Sequence, residues 1–337
     1  HYPFENKEKF EKNFPANYII EGQDQTRGWF YHLMIMAVAL FDKPAFKVVS
    51  ASGMILDEQK RKFSKSLHNY VDPSEQLEQY GADAIRLFIL GSNLMKAESI
   101  CVDKEGRVFN DTIKTILTPL WNAYHFFTLY ANAGDITVKK DSTSDNLLDK
   151  YILSELNELI KTVTDSLNDY KPDIAVKEFI RFLDILNNWY IRLNRDRFWD
   201  EDETAFETLH YVLKTFCKLL APFAPFISEY IFKDLTGEES VHLQDWPNAT
   251  NTDNKIVEDM RRVQAIVSTG KQLREQYKLR NRLPLLDMTI AGGNVQEYTD
   301  IIRDELNVKD VKFIDDVKTV ADKNLPKPIG EKKIIRK

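Results

Sequence analysis

Between Leu153 and Leu220 the apolar residues recur at steps of three and four. Leu153, Leu156, Leu159, Ile160, Val163 and Leu167 form one stripe. Val176, Phe179, Ile180, Leu183, Leu186 and Tyr190 form a second, and Phe206, Leu209, Leu213, Phe216 and Leu220 a third. This period predicts an all-helical bundle over residues 111–235, with loops at 134–146 and 200–204. The pattern before it is different. YII (18–20) and FKVVS (46–50) read as short buried strands closed by Gly22 and Gly53. Between them Thr26 is expected to cap a helix running to about Leu40, with Trp29, Phe30, Leu33, Met34, Met36 and Val38 giving it a largely apolar surface. Strand, helix, strand implies a right-handed crossover and a parallel sheet. After Pro73, SEQLEQYGADAIRLFILGS reads as two short helices broken at Gly81. Beyond the bundle, a polar connector (236–254) leads to an amphipathic helix (255–280). A strand (288–290), Gly292–Gly293, a helix near 295–305 and a strand near 308–314 then predict a small α+β domain.

The bulk numbers narrow this picture. A chain of 337 residues with 43% hydrophobic residues builds two or three domains with real cores. Its 46 basic and 52 acidic residues, a net of −6, argue against a uniformly basic nucleic-acid binder but leave room for local patches. Cys101 and Cys217 lie far apart and suggest neither a metal site nor a disulfide framework, so the cytoplasm is the expected compartment. No apolar run is long enough to cross a bilayer. The first residue is His1 and the opening stretch reads like the interior of a protein, so an excised fragment is expected.

One basic run changes the reading. Residues 60–65, KRKFSK, hold Lys60, Arg61, Lys62 and Lys65 with no acid among them. A triphosphate packs several negative charges into a small volume, and no Gly-rich phosphate loop occurs in this chain. Lys62 and Lys65 flank Ser64 and could reach adjacent phosphates while the hydroxyl adds a hydrogen bond. One well-placed donor on a leaving phosphate is worth about 3–4 kcal/mol. Taken alone, the run also fits a solvated basic loop. Its flanks, a strand with an acidic turn before it and LHNYVDP after it, favour the phosphate reading.

Two further patches suit nucleic acid. Asn188, Trp189, Tyr190, Arg192, Asn194, Arg195 and Arg197 put aromatic and basic groups on one predicted helix, as stacking on splayed bases requires. The alternative stays open: Trp189 and Tyr190 in the core, with the arginines paired to Asp184, Asp196 or Asp200. Residues 255–282 carry eight basic residues, Arg274 and Lys278 among them, against three acidic ones. This is a better footprint for a phosphate backbone. The tail from Lys323 is basic as well.

KFSKS with its flanks resembles the KMSKS signature of the class I aminoacyl-tRNA synthetases. EGQDQTRGWF (21–30) resembles the EGxDQxRGWF stretch of the isoleucyl family. YGADAIRLFIL is similar to that family's stem-contact helix. WNAYHFF, NNWYIRLNRDRFW and LAPFAPFISEYIF are similar to its anticodon-binding helices, and VHLQDWP and REQYKLRNRLPL to the segment beyond them. The resemblance covers residues 1 to about 290. It implies a multidomain fold: the C-terminal half of a Rossmann-like α/β nucleotide-binding domain (1–73), a stem-contact region (74–110), an all-α anticodon-binding bundle (111–235) and a connector, helix and small α+β domain (236–337).

The same resemblance implies the chemistry. Lys62, Ser64 and Lys65 would act on the ATP phosphates. Glu21, Gly22, Asp24, Gln25 and Trp29 would line the aminoacyl-adenylate site, Trp29 as a wall of the isoleucine pocket. Trp189, Arg192, Arg195, Arg197, Arg274 and Lys278 would meet tRNA(Ile). Mg²⁺ would accompany ATP, no protein metal site is expected, and a monomer with no membrane partner is implied. Phe63 stands where the family usually has Met, and Lys60 where a glycine or small turn residue is common. The family's HIGH motif is absent from this chain, as is an editing domain, so the chain is expected to match only the C-terminal part of such an enzyme and to be inactive alone. Two alternatives remain: a non-catalytic tRNA-binding paralogue, and a valyl or leucyl synthetase, which DQTRGWF disfavours.

Overall fold

The computed structural model describes residues 4–63, 69, 72–103, 105–138, 144–250, 252–292 and 295–314, together with the backbone of 333–336. A short helix α1 (Lys7–Asn13) precedes strand β1 (Ala16–Gly22), a 3₁₀ turn (Gln23–Arg27), helix α2 (Trp29–Phe41) and strand β2 (Phe46–Ser52). The two strands pair in parallel, from Ala16 opposite Phe46 to Gly22 opposite Ser52. The strand–helix–strand unit is therefore present, but Thr26 does not cap its helix. Its hydroxyl donates to the Gln23 carbonyl oxygen at 2.7 Å, inside the turn. The Trp29 N–H instead donates to the Gln25 side-chain oxygen at 2.9 Å, so a residue four positions back does the capping. Gly28 makes room for that, since a Cβ there would lie 2.7 Å from the same oxygen.

Strand β3 (Ile55–Leu56) pairs in parallel with β4 (Ile100–Cys101). Between them lie α3 (Pro73–Tyr80) and α4 (Ala82–Gly91), parted at Gly81 as expected. The Gly81 φ of 80° is a conformation that a side chain would strain. Asp72 starts α3 by accepting the Ser74 N–H at 2.8 Å, with Pro73 in the first turn.

Helix α5 (Val108–Thr112) continues through a π-helical stretch (Ile113–Leu117) into α6 (Thr118–Ala133). Then come α7 (Leu147–Asn168), α8 (Pro172–Ile185) with a π-helical extension (Leu186–Ile191), α9 (Arg195–Trp199), α10 (Glu203–Leu220) and α11 (Pro225–Thr236). The predicted stripes form the core: Leu156, Leu159 and Val163 of α7, Phe179 and Leu183 of α8, and Phe206, Leu213 and Phe216 of α10 share one buried cluster, in which Phe179 packs edge-on to Phe216. Ile180 is the exception and lies exposed on α8. The same cluster runs on through Met260 and Val263 of α12 (Asn254–Gln276). It ends in the last unit, built from β5 (Leu285–Ala291), α13 (Thr299–Leu306), β6 (Val308–Ile314) and β7 (Lys333–Arg336). Strand β5 is central there, parallel to β6 and antiparallel to β7.

Polar links join the first unit to the bundle. The Asp83 carboxylate on α4 accepts the N–H groups of Phe226 and Ile227 at 3.2 and 2.8 Å. It thereby caps α11, whose own N-cap residue, Ala224, offers no side-chain oxygen. One turn on, Arg86 donates to the carbonyls of Phe223 (3.1 Å) and Pro222 (2.8 Å). Lys96 pairs with the buried Asp173 at 2.7 Å, and Tyr18 stacks on Tyr170 with ring centres 4.5 Å apart.

Candidate active site and nucleic-acid interface

The parallel pairing of β1 and β2 brings their carboxyl ends together. Glu21 lies opposite Ala51 and Gly22 opposite Ser52. In open α/β sheets that end is where ligands bind. The turn that follows is tightly self-bonded. Gln25 donates to the Asp24 carboxylate at 3.0 Å, and the Gln23 amide donates to the carbonyl of Ala97. Asp24 folds back over Gly22 so closely that a Cβ there would sit 2.6 Å from its oxygen. Glu21 and Asp24 are exposed, and Trp29 opens α2 with 45% of its surface free. On the β2 side Gly53 lies against the backbone of Glu98, where a Cβ would stand 1.8 Å from the carbonyl oxygen. The chain then passes through β3 to the lysine segment.

The foot of that segment is built around Asp57. Its carboxylate accepts the N–H groups of Gln59 (2.9 Å) and Arg61 (2.8 Å), the Arg61 Nε (2.8 Å) and the Asn69 amide (2.8 Å). The Asn69 hydrogen bond, and then those of Arg61 with its positive charge, hold the Asp57 carboxyl well below the usual carboxylate range against the opposing pull of burial. Lys60 sits in the left-handed region at φ 61°, which accounts for a glycine being common at that position in the family it resembles. Arg61 is thus paired with Asp57, whereas Lys62 is exposed with its backbone bridged to Leu56. Ser64 and Lys65 lie outside the described residues, as does most of the basic tail from Lys323, of which only the backbone of 333–336 is described. Asp57 and Asn69 went unassigned in the sequence reading. The available signal was an acid four residues ahead of an arginine at a turn.

The second expected surface needs correction. Arg197 is not at an interface. Its guanidinium grips the fully buried Asp149 through both terminal nitrogens at 2.8 Å and Asp202 at 2.7 Å. Tyr190 is buried too, its hydroxyl donating to Asp149 at 2.8 Å. Arg274 is the largest fully buried side chain among the described residues. It donates to the carbonyls of Arg280, Leu283, Leu306 and Asn307 at 2.5–3.0 Å and ties α12 to the turn after it and to α13. Burial pulls its pKa down; the four carbonyls satisfy its terminal nitrogens, while Nε finds no partner among the described residues. Asp184, expected to pair with an arginine, accepts from Asn188 at 2.6 Å instead.

What stays outside is more compact than expected. Trp189, on the π-helical stretch, is half-buried and carries the Arg192 guanidinium 5.8 Å from its ring centre. Arg192 also pairs with Glu305 at 2.5 Å, and Lys271 joins the same carboxylate at 2.8 Å. Burial raises the Glu305 pKa, but the hydrogen bonds from Arg192 and Lys271 outweigh it and the net shift is downward. Trp189, Gln264, Lys271, Arg280 and Asn281 help line a cavity of about 590 Å³. Arg195, Lys278, Arg280 and Arg282 are exposed and make no ion pair among the described residues.

The comparisons with known proteins agree with these two regions. The family model for class I tRNA synthetases (I, L, M and V) matches residues 1–101, and that for the anticodon-binding domain of tRNA ligases matches residues 149–290. The isoleucine–tRNA ligase of Bifidobacterium longum is 41% identical over 93% of this chain, and that of Protochlamydia amoebophila 45% identical over 93%. The chain belongs to the isoleucyl-tRNA synthetase family. It spans 30% and 32% of the length of those two relatives. Among solved structures it resembles the leucyl-tRNA synthetase of Agrobacterium radiobacter K84 in a ternary complex with tRNA and LeuAMS. That match has a TM-score of 0.55 and 21% identity, over 72% of this chain and 29% of that one. It also resembles the methionyl-tRNA synthetase of Mycobacterium tuberculosis in complex with methionyl-adenylate, with a TM-score of 0.57 and 19% identity over 69% of this chain and 46% of that one. At such identities the likeness speaks for the fold alone. For an isoleucyl-tRNA synthetase family chain, the two matched stretches coincide with the open strand ends and with the bundle that carries Trp189.

Proposed function

We propose that this chain is the part of an isoleucine–tRNA ligase that supplies the lysine segment, the adenylate-facing turn and the tRNA-binding helices. The observation that carries the reading is the pairing of Gly22 with Ser52, which makes the Glu21–Gln25 turn and the chain toward Lys62 leave one sheet at one end. There Glu21 and Asp24 would hold the isoleucine ammonium and the ribose hydroxyls of ATP, and Gly22 would let the backbone approach the ligand. Trp29 would wall the aliphatic pocket. The isoleucine carboxylate attacks the α-phosphate, pyrophosphate leaves, and Lys62, Ser64 and Lys65 neutralise the departing charge. The adenylate then passes its aminoacyl group to the terminal ribose of tRNA(Ile). Positioning carries the remainder of the rate.

Mg²⁺ enters this reading as the counter-ion of the nucleotide. No group of three His, Cys, Asp or Glu side chains that could hold a metal stands among the described residues. The layout is proposed as a catalytic part (1–73), a stem-contact part (74–110), an anticodon-binding bundle (111–235) and a C-terminal α+β part (236–337), in a cytoplasmic monomer. No helix among the described residues is long and apolar enough to cross a membrane. The tRNA-facing set is Trp189, Arg192, Arg195 and Lys278, joined by Arg280 and Arg282.

Isoleucine-dependent exchange of pyrophosphate into ATP tests the reading. The full-length ligase should catalyse it with isoleucine, and replacing Lys62 or Lys65 by alanine should slow it about 10²–10³-fold. This chain by itself, without the HIGH motif, should not catalyse it. Exchange that depends on valine or leucine instead would move the protein to another branch of the class.

A further inference from the structure

The lysine segment is held by more than its own residues. Asp57 directly follows the short strand β3, and its side chain is only 11% exposed. Four hydrogen bonds converge on it, and they come from both limbs of the segment. Gln59 and Arg61 belong to the ascending limb, Asn69 to the descending one. Asn69 also donates to the Lys62 carbonyl oxygen at 3.2 Å, so one amide spans the carboxylate and the backbone of the first lysine of the motif. The two limbs are therefore tied at a single carboxylate, eight residues apart in sequence from Arg61 to Asn69. Charge-assisted bonds of this kind are short and directional, so they fix spacing as well as contributing energy. Glu58, next in sequence, is exposed and makes no such bonds among the described residues.

We propose that Asp57 is a positioning residue for adenylate formation: by clasping Arg61 and Asn69 it sets where Lys62 meets the departing phosphates. It touches no substrate itself. The inference rests on the ligase reading above, and the experiment separates the two.

In the full-length ligase, Asp57→Asn keeps the size of the side chain and one acceptor but loses the charge and the second acceptor. Isoleucine-dependent pyrophosphate exchange should fall about tenfold or more in kcat. The KM for isoleucine, the thermal midpoint, and the rate of transfer from preformed isoleucyl-adenylate to tRNA should stay as in the wild type. Glu58→Gln should change none of these. Asn69→Ala, which removes the amide bonded to both Asp57 and the Lys62 carbonyl, should slow exchange about threefold and serves as the readout should Asp57→Asn fail to fold. Because Asp57 acts through Lys62, the pair Asp57→Asn with Lys62→Ala should be no slower than Lys62→Ala alone. Losses that multiply in the double variant, or an equal fall in the transfer step, would overturn the inference and leave Asp57 a general structural residue. Asp57→Asn and Asn69→Ala both matching Glu58→Gln would do the same. A wild-type ligase with no isoleucine-dependent exchange would overturn the reading beneath it.

Discussion

The α/β stretch that ends at β4 and the helical bundle that follows it treat their side chains in opposite ways. In the bundle, polar groups are turned inward and paired. Asp149 takes Tyr190 and Arg197, Glu155 takes Arg181 at 2.6 Å, and Asp173 takes Lys96. In the first stretch, apolar groups are turned outward. Tyr31, Ile35, Met36, Val38 and Leu40 of α2 are all exposed, and the helix buries only Phe30 and Ala37. A two-stranded sheet offers too little surface to cover a helix that is apolar on every side. The lesson concerns where chemistry can sit. A closed bundle pairs many of its charged groups inward, so the surface proposed for tRNA shrinks to what remains around Trp189. An open strand end leaves Glu21, Asp24 and Lys62 exposed.

That contrast can be broken by stability measurements. On this chain Phe216→Ala should cost about 3–5 kcal/mol in urea unfolding, since Phe216 is fully buried against Phe179 and Phe182. Ile35→Ala, at a site 53% exposed, should stay within about 0.5 kcal/mol. Equal costs would mean that the α2 face is covered in solution.

Affinity for tRNA sharpens the bundle side of the comparison. Trp189→Ala should weaken binding of tRNA(Ile) to the full-length ligase by about 1–3 kcal/mol through lost stacking. Binding should also weaken steeply as salt is raised. Filter binding over a salt series checks both, and a flat salt response would remove the electrostatic part of the proposal.

Glu305 joins α13 to Arg192 and Lys271, and its effect depends on pH with a definite sign. Its folded-state carboxyl lies below the ordinary value, so the stabilisation is complete above the unfolded value, about 4.3. It fades as the pH falls through the lower folded value. Glu305→Gln should therefore cost about 1–2 kcal/mol at pH 7, and the gap to wild type should close in acid unfolding below about pH 4. A gap that widened in acid would contradict this assignment. At Lys60 a gain in stability is expected. Lys60→Gly relieves a left-handed backbone and should raise stability by up to about 1 kcal/mol, read from the urea midpoint.

The sequence carried the helices well because their evidence is periodic. The stripes of α7, α8 and α10 predicted the buried side of each helix, with Ile180 the exception. Strand pairing was legible for a similar reason, since two apolar runs flanking a helix leave few topologies. The arginines were not legible. Arg192, Arg195 and Arg197 look alike in sequence, but Arg192 follows the π-helical stretch, whereas a break at Asn194 puts Arg195 and Arg197 on the separate helix α9. Whether an arginine finds a buried acid also depends on residues far away in sequence, as with Arg197 and Asp149, 48 positions apart. Arg274 was misread for the same reason, because its acceptors are backbone carbonyls that carry no sequence signature. Thr26 has the composition of a cap, but Gln25 could reach the first free N–H only through the backward fold at Gly28.

Asp83 and Arg86 build the elbow between α4 and α11 from bonds to main-chain atoms. Such bonds have direction, where greasy contacts can slide. The elbow therefore fixes an angle as well as a distance. For a protein proposed to grip one RNA at two remote points, these two side chains set the opening of a caliper, and a change at either would be felt as a mismatch of span while both jaws stayed intact.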